Sequence, residues 1–238
     1  MFGWNSIKSA IKASPDDIPG AAEGMIITGQ SGFIAGTQVA SNAGWRAVEK
    51  LSVGDKVLTF DHGMQSVVDI QREVMTPPEN AMNRSQNPIL VPMGAMNNRK
   101  EMWLMPDQGM LIESESALDA MGDPFAVVPA RSLKGLRGIR TAPAREKLSI
   151  TTLAFASDEV VYVECGMLVH CPRPRNILTD PKIKGAALYD VLGLRAARFL
   201  VECLIDDDNG SALICDPDEI AGVRVQRERT ARPAPLMA

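Results

Sequence analysis

The chain has 238 residues, 45% hydrophobic and 23% charged, with a formal net charge of −4 and a pI near 5.3. That length admits one large domain, or one domain with an appended piece, and enough apolar matter for a true core. The mildly acidic balance gives no electrostatic footprint for nucleic acid, no apolar run approaches the roughly 20 residues that span a bilayer, and the 4 cysteines are too few for a disulfide scaffold.

Residues 1–24 read as an N-terminal arm. Phe2, Trp4, Ile7 and Ile11 fall near helical spacing with Lys8 and Lys12 off that face, until Pro15, Asp16, Asp17, Pro19 and Gly20 break the pattern. An arm docked on its own domain is the preferred reading. A peptide for a partner or a membrane surface is the alternative, and two lysines make a weak membrane case. The stretch lacks the continuous apolar segment of a secretory signal. The cysteines are therefore read as reduced and the location as cytoplasmic by default, with leaderless export left open.

From residue 25 to about 171 the pattern is β. "GFIAGTQVAS" predicts a strand running into a turn at Asn42-Ala43-Gly44, and "KVLTFD" a strand closed by Asp61-His62-Gly63. "QSVVDIQREVM", "NPILVPMGAM", "GMLIES", "PFAVVPARSL", "LSITTLAF" and "DEVVYVECGMLV" predict further short strands between Gly, Pro and Asp breaks, and "PPENAMNRSQN" a polar loop. Many short strands with frequent turns imply a compact, mostly β domain and not a parallel α/β sheet.

Residues 172–225 read as a C-terminal extension with a helix. After the Pro- and Arg-rich "CPRPRNILTDPKIKG", Thr179 or Asp180 is placed to cap a helix with Pro181 in its first turn. "KGAALYDVLGLRAARFLVE" sets Leu188, Val191, Leu192, Arg195 and Phe199 near one side, weakened by Gly193. "LIDDDNGSALIC" is expected as strand, polar turn and strand. Residues 226–238 predict a disordered tail.

Several stretches of the β region carry a resemblance. "GFIAGTQVAS" is followed by "RAVEKLSVGDKVLTFDHGMQSV", in which Gly54-Asp55 makes a turn and Val48 and Leu51 face inward. "VPMGAM" precedes "LMPDQGMLI", and "PFAVVPARSL" and "DEVVYVECGML" come later. Together they resemble the Hint domain, the hedgehog/intein autoprocessing module, in its bacterial form. The resemblance implies a compact β fold and a self-cleaving chemistry. In that chemistry a thiol or hydroxyl attacks the preceding carbonyl, a Ser/Thr-x-x-His block polarises and protonates the amide, and a later Asp and His assist.

Every position that the resemblance gives to this chemistry is changed. Gly32 stands where the nucleophile belongs, and Met105-Pro106-Asp107-Gln108 stands for the Ser/Thr-x-x-His block. Met offers no donor and Gln no acid or base near neutral pH. Aligned on Glu159-Val160-Val161, the later His, Asp and His become Thr152, Ala156 and Asp158. The nearest match to the His-Asn ending of an intein is His170-Cys171-Pro172, without Asn, which argues against protein splicing.

Other candidates are weaker. Ser31 is a possible nucleophile one residue early, but a one-residue shift turns a strand side chain to the other face. Cys165, His170 and Cys171 could join Cys203 or Cys215 in a zinc site, although the spacing is not that of a zinc knuckle. His62 is expected to be solvated in its turn. Asp107, Glu113 and Glu115, and Asp158, Glu159 and Glu164, are expected as solvated faces. Asp206-Asp207-Asp208-Asn209-Gly210 lacks the ligand spacing of a calcium loop. Arg131, Lys134, Arg137, Arg140 and Arg145 form the most basic region, with no aromatics interleaved for nucleic acid. The chain thus reads as a catalytically degenerate Hint-like binding or structural module with no cofactor and another protein as partner. The alternative is a divergent self-cleaving domain cutting near Gln30-Ser31 or Ser31-Gly32.

Overall fold

A computed structural model describes residues 31–76, 87–118, 122–144, 146–173, 189 and 191–214. The predicted N-terminal arm, most of the "PPENAMNRSQN" loop, the Thr179/Asp180 cap and the tail lie outside the described residues.

The expected first strand is two strands. β1 (Phe33–Ile34) and β2 (Gln38–Ser41) are separated by a turn at Gly36, whose φ of +89° suits glycine. β3 (Gly44–Ala47) follows the turn at Asn42-Ala43. β4 (Lys56–Thr59) and β5 (Gly63–Ser66) form a hairpin over the Asp61-His62 turn. Next come β6 (Asp69–Met75), β7 (Ile89–Val91), β8 (Met102–Leu104), β9 (Gly109–Glu113), β10 (Phe125–Pro129), β11 (Arg140–Thr141), β12 (Leu148–Ala154), β13 (Glu159–Tyr162) and β14 (Leu168–Cys171). β3, β8 and β11 carry no clear alternation in sequence; they are strands because neighbouring strands pair them.

Two sheets result. A six-stranded sheet has the order β11-β7-β8-β1-β12-β6, and an eight-stranded sheet runs β10-β9-β14-β13-β4-β2-β3 with β5 attached to β4. All named strand pairs are antiparallel. The register puts Phe33 opposite Thr151 and Ile34 opposite Ile150, so β1 lies between β8 and β12 in the middle of its sheet. The Gly54-Asp55 turn predicted from sequence is present, with Asp55 donating its N–H to Ser52, and Val48 and Leu51 are both buried.

The helix differs from its expected form. α1 spans Leu194–Asp206 and begins directly after Gly193, which sits at the N-cap. Its buried residues are Ala196, Ala197, Leu200, Val201 and Leu204, while Arg195 and Phe199 face solvent. The apolar repeat that matters runs on through Leu204 at helical spacing, which also overturns the strand expected from Leu204. Gly210–Leu213 form a single 3₁₀ turn in place of the second expected strand. Ala197, Leu200, Val201, Leu204 and Leu213 belong to the same hydrophobic cluster as Val128, Leu133, Leu136 and Val169. Each such leucine contributes about 1.5–3 kcal/mol of burial. Among the described residues no helix is long and apolar enough to cross a membrane.

Candidate functional site

The entry of β1 is the point on which the sequence questions converge. Gly32 has a φ of +123°, a conformation rare for any residue with a side chain. Its backbone N–H donates to Gln108 Oε1 at 2.7 Å. Gln108 is buried at the start of β9's turn, and its Nε2 donates to the carbonyl of His170 at 2.8 Å. One amide side chain thus ties β1, the turn before β9 and β14 together, with both of its polar atoms engaged deep in the protein.

The space that a side chain at position 32 would need is already taken. A β-carbon on Gly32 would come within 2.7 Å of Ile150 Cγ2 and 3.0 Å of Thr152 Oγ1. Both belong to β12, and both are β-branched, so their methyl and hydroxyl groups stand close over the strand. Met105 is fully buried and packs with Ile34 and Ile150. A thioether there extends the apolar floor under the same strand.

Around Gly32 the structure gathers Ser31, Gln108, Thr152, His170 and Cys171, which line a cavity of about 10 Å³. That is room for about one water molecule. His170 is the residue that sequence reasoning set in a different role. Its ring occupies the place a side chain at Gly109 would fill: a β-carbon there would lie 3.0 Å from His170 Cβ and 3.2 Å from Nδ1. The ring meets Tyr189 edge-on at 5.6 Å. His170 follows Val169, which pairs with Met110 of β9; that pairing sets His170 beside Gly109, and the Gln108 side chain links its carbonyl to Gly32. No local motif signals it.

The other sequence candidates go elsewhere. Asp158 does not line the cavity; its Oδ1 accepts the N–H of Arg173 at 2.7 Å, closing the end of β14. Ala156 lies exposed in the connection between β12 and β13. Cys165 sits in a 3₁₀ turn with φ +69°, apart from the cavity. Among the described residues no three His, Cys, Asp or Glu side chains gather closely enough to hold a metal ion. Cys215 lies outside them.

Two expectations of solvated groups are corrected. Glu159 is only 2% exposed, and both its carboxylate oxygens meet His62 Nδ1, at 3.1 and 3.0 Å. His62 is therefore a half-exposed partner of a buried carboxylate and not a free turn residue. Asp107 is paired with Arg131. Burial nevertheless pushes its carboxyl up from the usual range, against the guanidinium's pull. Arg137 likewise pairs with Asp208, so two of the basic region's side chains, Arg131 and Arg137, have acidic partners.

The cavity's chemistry follows from these groups. Burial, with the charge of Glu159 adding to it, pushes the Cys171 thiol far up and keeps it protonated. The Gln108 amide is inert to proton transfer near neutral pH. The arrangement holds the peptide unit at Gly32 in one rigid geometry.

The sequence model of the Hint domain family matches residues 31–168, more than half of the chain. This chain belongs to the Hint domain family. The match begins at Ser31, beside the buried Gly32–Gln108 contact. Among curated proteins none matches the chain. Among solved structures, the Hint chain is similar to a bacterial intein-like domain from Clostridium thermocellum, at 14% identity over 59% of this chain and 98% of that one, with a TM-score of 0.39. It is also similar to a splice-inactive variant of the AceL NrdHF class 3 split intein, at 15% identity over 61% and 99%, with a TM-score of 0.40. A third is the Msm DnaB1 intein splicing domain bound with zinc, at 15% identity over 58% and 98%, with a TM-score of 0.38.

Proposed function

We propose that this Hint domain is catalytically degenerate and serves as a non-enzymatic binding or structural module whose partner is another protein. The observation that carries the reading is the filled position at Gly32. The nucleophile's place has no side chain, a backbone that disfavours one, and Ile150 and Thr152 packed into its volume. The amide that would be polarised for cleavage is instead bonded to the neutral Gln108. Loss of a nucleophile alone would leave a gap. A gap closed by β-branched neighbours and bridged by a buried amide is what a strand junction kept for stability requires.

A second reading is a divergent self-cleaving domain cutting near Gln30-Ser31. The observation in its favour is that Ser31, Thr152 and His170 line one cavity, which brings a hydroxyl and an imidazole to the same place. Against it, the cavity that they line has room for about one water molecule.

Intact mass of the purified full-length chain, before and after dithiothreitol or hydroxylamine, separates the two. One unchanged mass near 25.7 kDa supports the degenerate module. Fragments broken beside Ser31, lost in Ser31→Ala and in His170→Ala, would replace it with the self-cleaving reading.

A further inference from the structure

We propose that the residues just upstream of Ser31, Met25-Ile26-Ile27, dock on the outer face of the six-stranded sheet and stay there as its cover. The inference rests on the non-cleaving reading above, because a cut beside Ser31 would free that cover.

Side chains along each strand of this sheet alternate between two faces. Phe33, Leu104 and Leu153 belong to the main core. Strand register then sets Leu90, Trp103, Ile34 and Ile150 side by side across β7, β8, β1 and β12 on the opposite face. Ile34, Met105 and Ile150 form a separate apolar cluster there. Its members, and the half-buried side chains packed against them, all come from strands of this sheet or from the residue that follows β8. Yet Met105 and Ile150 are 0% exposed. A sheet face with nothing packed on it leaves its central side chains open to water, so a further layer is needed to bury these two.

Chain connectivity points to the segment that supplies it. Ser31 is itself buried, so the upstream chain departs from beneath the surface. It departs beside Gly32, whose missing β-carbon faces Ile150 and Thr152 on this same side of the sheet. Met25, Ile26 and Ile27 precede Ser31 by 4 to 6 residues. An extended chain of that length reaches about 13–20 Å at about 3.3 Å per residue, and a row across four strands spaced about 4.8 Å apart spans about 14 Å. The segment is therefore long enough to lie across the row from Ile150 to Leu90. The other long stretch that adjoins this sheet, "PPENAMNRSQ" between β6 and β7, is polar and brings one large apolar side chain, Met82. Three consecutive apolar residues gain more from burial against an apolar row than that loop does. Docked, they close the Gly32 side of the sheet and leave a partner protein the remaining surfaces.

The test is methyl NMR of the full-length chain carrying ¹³C-labelled isoleucine δ-methyls and methionine ε-methyls, with its intact mass recorded on the same sample. The expected result is nuclear Overhauser contacts from the Ile26 or Ile27 methyls to those of Ile34, Met105 or Ile150. In the double variant Ile26→Asp, Ile27→Asp the Ile34 and Ile150 methyls should shift, while Ile112 in the main core stays in place. Ile26 and Ile27 methyls at free-chain positions, without contacts to the sheet, in a chain of unbroken mass would overturn the proposal and leave the non-cleaving reading standing. Contacts to this face that arise only between molecules, in a mixture of labelled and unlabelled chains, would place a second copy there and overturn it as well. Fragments broken beside Ser31 would sink the non-cleaving reading and this inference with it.

Discussion

The Gln108 side chain accepts the N–H of Gly32 at 2.7 Å and donates to the carbonyl of His170 at 2.8 Å, both contacts buried. The amide therefore satisfies one donor and one acceptor that strand pairing leaves open. Removing it strands both. Gln108→Ala should cost about 2–4 kcal/mol, one to two buried polar groups left without partners. Urea unfolding of the full chain would read it. A cost under about 1 kcal/mol would mean that water replaces the amide in the cavity.

Gly32 and Ile150 form a complementary pair, the absent side chain of one housing the methyl of the other. Gly32→Cys should destabilise by about 2–3 kcal/mol through overlap and positive-φ strain. Adding Ile150→Ala should relieve the overlap, so the double mutant loses less than the sum of the singles by about 1 kcal/mol or more. Strict additivity would show that the strand shifts freely at this point.

Cys171 makes a pH prediction with a definite sign. Its folded thiol is raised far above the usual range by burial, then by Glu159. A raised group contributes stability that is present below its unfolded pKa and lost above it. Stability should thus fall by about 1–2 kcal/mol between about pH 8.5 and pH 10, since each unit above the unfolded thiol value costs about 1.4 kcal/mol. Cys165 and Cys203 are shifted the same way by burial and add to the slope. Comparison with Cys171→Ala isolates the buried thiol, whose removal should flatten the decline.

Leu200 of α1 is fully buried in the cluster that also holds Val128 and Leu133. Leu200→Ala should cost about 2–5 kcal/mol. The melt should remain a single transition, because helix and sheets share one core. A separate early transition, with the β signal unaffected, would mark the helix as an independent unit.

Much of this molecule is legible in one dimension. Gly54-Asp55 and the Asp61-His62-Gly63 turn punctuate β-rich runs, so local turn chemistry and alternation announce a β fold. Gly32, Met105 and Gln108 are equally plain as residues that offer no nucleophile, acid or base, since a residue type states which protons it can move. Reading α1 failed at its face. Gly193 lies between Val191 and Arg195, and counting across it mixed two conformations in one periodicity.

What tertiary structure alone decided are the long-range pairings. The β14–β9 pairing brought His170 over Gly109, folding put the buried Glu159 against His62, and β12 set Ile150 and Thr152 into the volume of a missing side chain. Sequence determines which groups exist and how each short segment curls, because those depend on neighbours along the chain. Which groups meet depends on sheet register and on the shared core, and both are settled by contacts between segments far apart in sequence.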